Sequence, residues 1–281
     1  EDLFKAIVLR SANDASVAMA EHIGGSEEEF VARMNERAKE LGMNNTNFVN
    51  CCGLDADNHY SSAYDVAIMS RELITRFPEI SNYATIWMDT FVHTTRKGRT
   101  EFGLTNTNKL IRSYKGITGL KTGSTSVAKY CLSATARRND MDLIAVILAA
   151  PDTKTRFAEA AKLLNYGFAN YSIFVDDNKD LSLEPVAVVK GVKESVNGKI
   201  ARDFSYLCSK GESSENIRKE IVLYDEVKAP LTTEDKIGDI IYYYDNKKIG
   251  SVDILASEDI RQAGYLDCFI KSLKKYFVIY H

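Results

Sequence analysis

The chain has 281 residues, of which 45% are hydrophobic and 27% charged, and its net charge is -3. That length exceeds one typical core and the composition is globular, so two domains are expected. The charge comes with no block of basic residues, which argues against nucleic acid as a partner.

No apolar run reaches the roughly 18 residues that a spanning helix needs, and the chain opens on neither an initiator Met nor a leader-like segment. Its first residues, "EDLFKAIVLRS", read as an amphipathic helix with Leu3, Phe4, Ile7 and Val8 on one face. A chain that opens inside such an element is expected to have lost an upstream part. In "SEEEFVARMNERAKELG", Ser26 and Glu29 form a capping box, Phe30, Met34 and Leu41 share a face, and Gly42 suits the end. "SSAYDVAIMSRELITRFP" repeats the logic, with Ser62 at the start and Pro78 as the stop. Two apolar strands around Arg138-Asn139-Asp140 predict a hairpin, and "TRFAEAAKLLNYGFANY" predicts another helix. Helices beside an antiparallel hairpin indicate α+β layering rather than a doubly wound parallel sheet.

After Tyr171 the segments become short and β-rich. Asn197-Gly198 and Asp245-Asn246 each predict a hairpin turn. The organisation expected is a domain over 1–171, a small all-β domain over 172–260 and a helix over 261–281. In the last unit Leu266, Phe269, Ile270, Leu273 and Phe277 form an apolar stripe, with Lys271, Lys274 and Lys275 off it. Such a helix either packs on the β domain or lies in a membrane interface with its lysines toward anionic headgroups. The five cysteines, Cys51, Cys52, Cys131, Cys208 and Cys268, match no metal spacing and read as small apolar residues.

Two polar clusters carry the chemistry. "GLKTGST" at 119–125 places Lys121-Thr122-Gly123 at the start of an edge-like strand. A lone triplet of this kind is a weak signal, and it is no phosphate loop because the spacer and first glycine are missing. On an edge strand, however, Gly123 lets another backbone approach closely. A cation and a hydroxyl beside it suit the carboxylate of an extended peptide. "RSANDAS" at 10–16 by itself reads as a helix cap through Ser11 or Asn13. Beside Lys121, the same cluster offers a hydroxyl to relay a proton and an amide to hold a substrate carbonyl.

Together these clusters resemble the penicillin-recognising serine enzymes, and most closely the low-molecular-mass penicillin-binding proteins that are D-alanyl-D-alanine carboxypeptidases. "HYSSAYDVAIMSREL", "TNTNKLI", "GLKTGSTS" and "RFAEAAKLLNYGFANY" follow that family's order and spacing, and the β-rich region and tail extend the likeness over nearly the whole chain. The resemblance implies an α+β penicillin-binding (transpeptidase-like) domain, truncated at its N-terminus, then a small all-β domain and an amphipathic C-terminal helix. It assigns proton relay to Ser11 and substrate positioning to Asn13. Lys121 would supply the field that keeps Ser11 active and, with Thr122, would bind the terminal carboxylate. Gly123 would admit the substrate backbone, the Ser124 N–H would be an oxyanion donor, and Arg156 would lie near the pocket, a structural ion pair being the other reading. No metal or organic cofactor is implied. The implied partners are a peptidoglycan stem peptide ending in D-Ala-D-Ala, β-lactam antibiotics and a membrane surface. The implied place is the outer face of the bacterial cytoplasmic membrane, reached through a signal peptide absent from this chain.

The family's nucleophile, a serine three residues before a lysine and upstream of Ser11, is expected outside these residues. Ser126-Lys129 and Ser272-Lys275 match that spacing by coincidence, because the pair must lie on one buried helical turn. Ala12 and Lys129 replace family glycines, Ser124 replaces a larger side chain, and Cys51-Cys52 replaces a proline-containing pair. A β-lactamase of the same superfamily and a non-catalytic cell-wall binding protein are the alternatives. The 281 residues alone are expected to be marginally stable and to form no covalent penicillin adduct.

Overall fold

A computed structural model describes residues 1–96 and 98–276, the side chains of residues 93, 95 and 274–276 excepted. Two compact units divide at 170/171.

The first unit opens with α1 (Asp2–Lys5), which continues as one π-helical turn (Ala6–Arg10). Helices α2 (Asn13–Gly24), α3 (Glu27–Glu40), α4 (Ala63–Arg76) and the short α5 (Ile80–Ala84) follow. Ser26 Oγ accepts the Glu29 N–H at 3.2 Å and Ser62 Oγ accepts the Asp65 N–H at 3.1 Å, so the caps of α3 and α4 lie where their sequences put them. The long hairpin β1 (Met88–Thr95) and β2 (Gly98–Thr105) stands apart from the other strands, and α6 (Leu110–Ser113) leads into the main sheet.

That sheet is β3 (Ile117–Thr125), β4 (Lys129–Arg138) and β5 (Met141–Ala150), antiparallel in the order β3-β4-β5. Helix α7 (Thr153–Asn170) covers one face. The core there is Leu132, Ala134, Ala136, Ala145, Ala160 and Leu164. Its alanines let the helix backbone come close. On the other face the α4 side chain Ser70 shares a buried hydrogen bond of 2.7 Å with Ser133 of β4. A separate cluster ties Leu9 and Val8 of the π-turn to Ile80, Ala84 and Leu120. This cluster fixes the Ser11 turn against β3.

The second unit is β-rich: β6 (Tyr171–Asp176), β7 (Val186–Val189), β8 (Ser195–Val196), β9 (Gly198–Ile200), β10 (Phe204–Ser209), β11 (Ile217–Leu223), β12 (Glu226–Lys228), β13 (Lys236–Tyr244) and β14 (Lys247–Ala256), then helix α8 (Tyr265–Tyr276). The β13–β14 hairpin turns through Asp245 and Asn246, both left-handed at φ 45° and 65°. The hairpin expected at Asn197-Gly198 is absent, since β8 pairs with β7 and β9 with β14. Gly198 serves close packing instead. A Cβ there would meet Ile254 at 2.7 Å and Leu183 at 2.8 Å.

On α8 the apolar side chains Tyr265, Leu266, Phe269, Ile270 and Leu273 are exposed, while Lys271 donates to the Gly191 carbonyl at 3.0 Å. Phe277 and the side chains of Lys274 and Lys275 lie outside the described residues. No helix among the described residues is long and apolar enough to cross a membrane.

Leu132 is 1% exposed between the sheet and α7. Leu132→Ala is therefore expected to cost the first unit about 2–5 kcal/mol. Urea unfolding followed through Trp87, the only tryptophan, checks this.

Candidate active site

The site is built where the π-turn meets the free edge of the main sheet. Ser11 ends the π-turn in the left-handed conformation, at φ 56° and ψ 44°. Its N–H donates to Ile7 O at 3.0 Å and the Ala12 N–H to Ala6 O at 3.2 Å, so the turn closes on itself. Residue Ala12, with no side-chain bond, stands at the N-cap of α2. The capping reading of Ser11 and Asn13 therefore fails: the backbone closes without them, and the Ser11 hydroxyl is free to reach β3.

Lys121 does not start its strand, as expected from sequence, but lies in the middle of β3. Its Nζ donates to Ser11 Oγ, 110 residues earlier, and to Thr122 O at 2.9 Å. The structure thus brings Lys121 and Ser11 together. Asn13 is exposed in the first turn of α2, and no side-chain hydrogen bond from it is found among the described residues. Ser124 and Gly123 are on the same strand as Lys121, and Gly123 is exposed. A Cβ on Gly123 would come no nearer than 3.8 Å to Cys131, so this chain's own packing does not demand the glycine. The space it leaves is open to a ligand.

Thr122 is buried, and its hydroxyl shares a hydrogen bond of 2.5 Å with that of Thr107. Thr107 escaped the sequence reading, although "TNTNKLI" flagged its segment. Two buried amides hold it. Asn106 Nδ2 donates to Ala84 O and Ile86 O at 3.0 and 2.9 Å, and Asn108 Nδ2 donates to Gly119 O at 3.1 Å. The Thr107 N–H donates to Leu9 O at 3.1 Å, so one segment clamps both the Ser11 turn and β3. The one available signal was the paired asparagines around a threonine, since buried amides hold loops where regular pairing cannot.

Arg156, in α7, is 5% exposed behind the strand. One nitrogen donates to Gly123 O at 3.0 Å and Cys131 O at 3.1 Å, and the guanidinium lies 4.7 Å from the Phe157 ring centroid. Its Nε has no partner, and no carboxylate pairs with it, among the described residues. Burial, with the Arg156 charge second, lowers the Lys121 ammonium from 10.5 to about 8. The two Ser-x-x-Lys matches are not at this site: Ser126 and Lys129 bracket the β3–β4 turn, and Ser272 is on α8. Among the described residues no group of acids, histidines and cysteines has metal-binding geometry, and the cysteines are free.

Residues 1–152 match the family model for D-alanyl-D-alanine carboxypeptidase, and residues 170–262 match that for the penicillin-binding protein 5 C-terminal domain. The chain is 39% identical over 266 residues to the D-alanyl-D-alanine carboxypeptidase DacF of Bacillus subtilis, covering 95% of this chain and 67% of the relative. It is 36% identical to DacA of Haemophilus influenzae, over 94% of this chain and 65% of the relative. The chain therefore spans about two thirds of the length of the curated relatives it matches. Among solved structures, penicillin binding protein 5 from Haemophilus influenzae superposes with a TM-score of 0.70 at 34% identity, covering 93% of this chain and 74% of that one. The peptidoglycan synthesis regulatory factor PBP3 from Streptococcus pneumoniae gives 0.69 at 25% identity, covering 92% and 77%.

A lysine lowered to about 8 is directly measurable. In a spectrum of the chain labelled at lysine Cε, one resonance should titrate near pH 8 and vanish in Lys121→Met. Arg156→Met should move that midpoint upward, because it removes a neighbouring positive charge. Between pH 8 and 10.5 the unfolded lysine keeps a proton that the folded one has lost, so this group makes stability rise with pH across that window.

Proposed function

This chain belongs to the D-alanyl-D-alanine carboxypeptidase family, and on that premise we propose that it serves a serine-type D-Ala-D-Ala carboxypeptidase. The substrate is the peptidoglycan stem pentapeptide, whose terminal D-Ala is released through an acyl-enzyme. β-Lactams acylate the same centre. The observation that carries this reading is the Lys121–Ser11 hydrogen bond at the edge of a strand open to an extended peptide.

Each side chain then has a task. The peptide lies along β3 with its C-terminal carboxylate at Lys121 and Thr122, a cation and a hydroxyl that suit an anion. Thr107 holds the Thr122 hydroxyl in place. Ser11, hydrogen-bonded to an ammonium, gives up its proton more readily, and so can pass one to the departing D-Ala amine. Asn13 holds the substrate amide. The Ser124 N–H faces the developing oxyanion. Arg156 touches the Gly123 and Cys131 carbonyls, which supports a role in fixing β3 and keeping the local potential positive. Neither Ser126, beside the β3–β4 turn, nor Ser272, on α8, supplies the acylated serine. The proposed reaction invokes no metal or organic cofactor.

The exposed apolar side chains of α8 support contact with the outer face of the cytoplasmic membrane, which places the protein beside its peptidoglycan substrate.

The test uses the protein expressed with whatever its gene encodes upstream of Glu1. Fluorescent penicillin should label it, and D-Ala should be released from a synthetic pentapeptide ending in D-Ala-D-Ala. Lys121→Ala should slow acylation by at least about a hundredfold, the scale for losing a preorganised charge. Near-normal labelling of that variant would reduce the Lys-Thr-Gly triplet to a strand segment without catalytic function. Rapid turnover of penicillin, in place of a persistent adduct, would mark a β-lactamase.

A further inference from the structure

The segment 50–57, between α3 and α4, is folded around one side chain. Asn50 Oδ1 accepts the Gly53 and Leu54 N–H groups at 2.7 and 3.1 Å, and Asn50 Nδ2 donates to Leu54 O at 2.9 Å. Its stem is tied to α3. Asn35 exchanges two bonds of 2.8 Å with the Phe48 backbone, and Glu27 accepts the Cys51 N–H at 3.1 Å. The residue presented by this rigid loop is Asp55.

Asp55 reaches the turn that ends the site strand. Its Oδ1 accepts from Thr125 Oγ1 at 2.6 Å. Its Oδ2 accepts from Ser126 Oγ at 3.2 Å and from the Val127 N–H at 3.3 Å. Thr125 Oγ1 also accepts the Ala128 N–H at 2.9 Å, so hydroxyl and carboxylate close the turn together. Among the described residues, every hydrogen bond to the Asp55 side chain comes from this turn. The Thr125 hydroxyl, ahead of Val127 and Ser126, holds the Asp55 carboxyl below the usual range, as expected for an ionised acceptor.

The turn has little else to hold it. Ser126, Val127 and Ala128 are exposed, Val127 at 75%. A turn without apolar packing opens easily unless polar bonds close it. It begins one residue after Ser124, so movement there moves the Ser124 N–H. A donor displaced by about 1 Å can cost as much as a hundredfold in rate.

We propose that Asp55 is a positioning residue that latches the β3–β4 turn and thereby holds the Ser124 N–H on the oxyanion side of the site. The inference rests on the carboxypeptidase reading for its catalytic consequence, but the latch itself is a property of this chain.

Two measurements separate the two claims. Hydrogen exchange on the protein expressed with whatever its gene encodes upstream of Glu1 reads the latch. The Val127 and Ala128 amides should exchange at least about tenfold faster in Asp55→Ala, and Asp55→Asn should recover only part of the protection, because its amide has one accepting oxygen where the carboxylate has two. Acylation by fluorescent penicillin, on the protein expressed with whatever its gene encodes upstream of Glu1, reads the consequence. Asp55→Ala should lower the limiting acylation rate about tenfold or more while leaving the apparent dissociation constant of the prior complex within about twofold. Asp55→Asn, with a single accepting oxygen, should restore it only in part. Asp65→Asn is the control for simple destabilisation. Asp65 accepts from the Asn45 N–H and Thr46 Oγ1, both at 2.7 Å, and does not touch the turn. The control should lower the melting temperature without changing the limiting rate. Unchanged exchange at Val127 and Ala128 in Asp55→Ala overturns the latch. Unchanged limiting acylation beside faster exchange overturns its catalytic role. If the wild-type protein takes up no penicillin, the carboxypeptidase reading fails, and exchange alone decides the latch.

Discussion

The site depends on a half-buried cation without an anion beside it. Lys121 donates to a hydroxyl and a carbonyl, and Arg156 donates to two carbonyls. Neither forms an ion pair among the described residues, whereas other bridges of the chain link exposed lysines and arginines to carboxylates on the surface. Neutral acceptors compensate burial less well than a carboxylate would, and two like charges repel. The lowered Lys121 is the result. A protein that only needed a stable edge strand would place neither charge there. The unbalanced potential has a use when a ligand brings the missing anion, and a peptide C-terminus is such a ligand.

Holding that potential in place requires backbone precision, supplied by small residues and short polar bonds. The alanines of β4, β5 and α7 bring the helix near enough for Arg156 to reach the Gly123 carbonyl. Ser70–Ser133, Thr118–Thr135 and Thr107–Thr122 are hydroxyl pairs between distant segments. Each satisfies a group that close packing would otherwise leave unpaired. Ser11 reaches the same place by a different device, a left-handed residue ending a π-turn whose apolar face is set by Leu9 and Val8.

Features with local causes were legible in the sequence. Capping serines announced α3 and α4, and the Asp245-Asn246 turn matched its dipeptide. Each of these depends on neighbours within a few residues. Asn197-Gly198 carries the same kind of signal and misleads, because the glycine there answers to Ile254 and Leu183, which no window around residue 197 contains. The Ser11 cluster misled in the opposite direction. Locally it reads as a cap, and only the Lys121 side chain, 110 residues on, uses the hydroxyl. Thr107 and Asp55 were invisible for that reason: a threonine between asparagines and an aspartate after Gly53-Leu54 have ordinary local roles, and their partners are fixed by tertiary structure alone.

Lys129 shows how such long-range bonds compensate for a local mismatch. It begins β4 at φ 55°. A left-handed backbone costs a non-glycine residue roughly 1–2 kcal/mol. The turn before Lys129 is nevertheless closed, and the closing bonds come from Thr125 within it and from Asp55 outside it. A strained residue persists when its surroundings over-determine the backbone. With three donors of the turn gathered on one carboxylate, relaxing Lys129 would break bonds made to a different part of the chain. The edge strand therefore keeps its register through Ser124 despite an unfavourable residue at its return, and the geometry on which the Lys121 cation depends extends to the end of the strand.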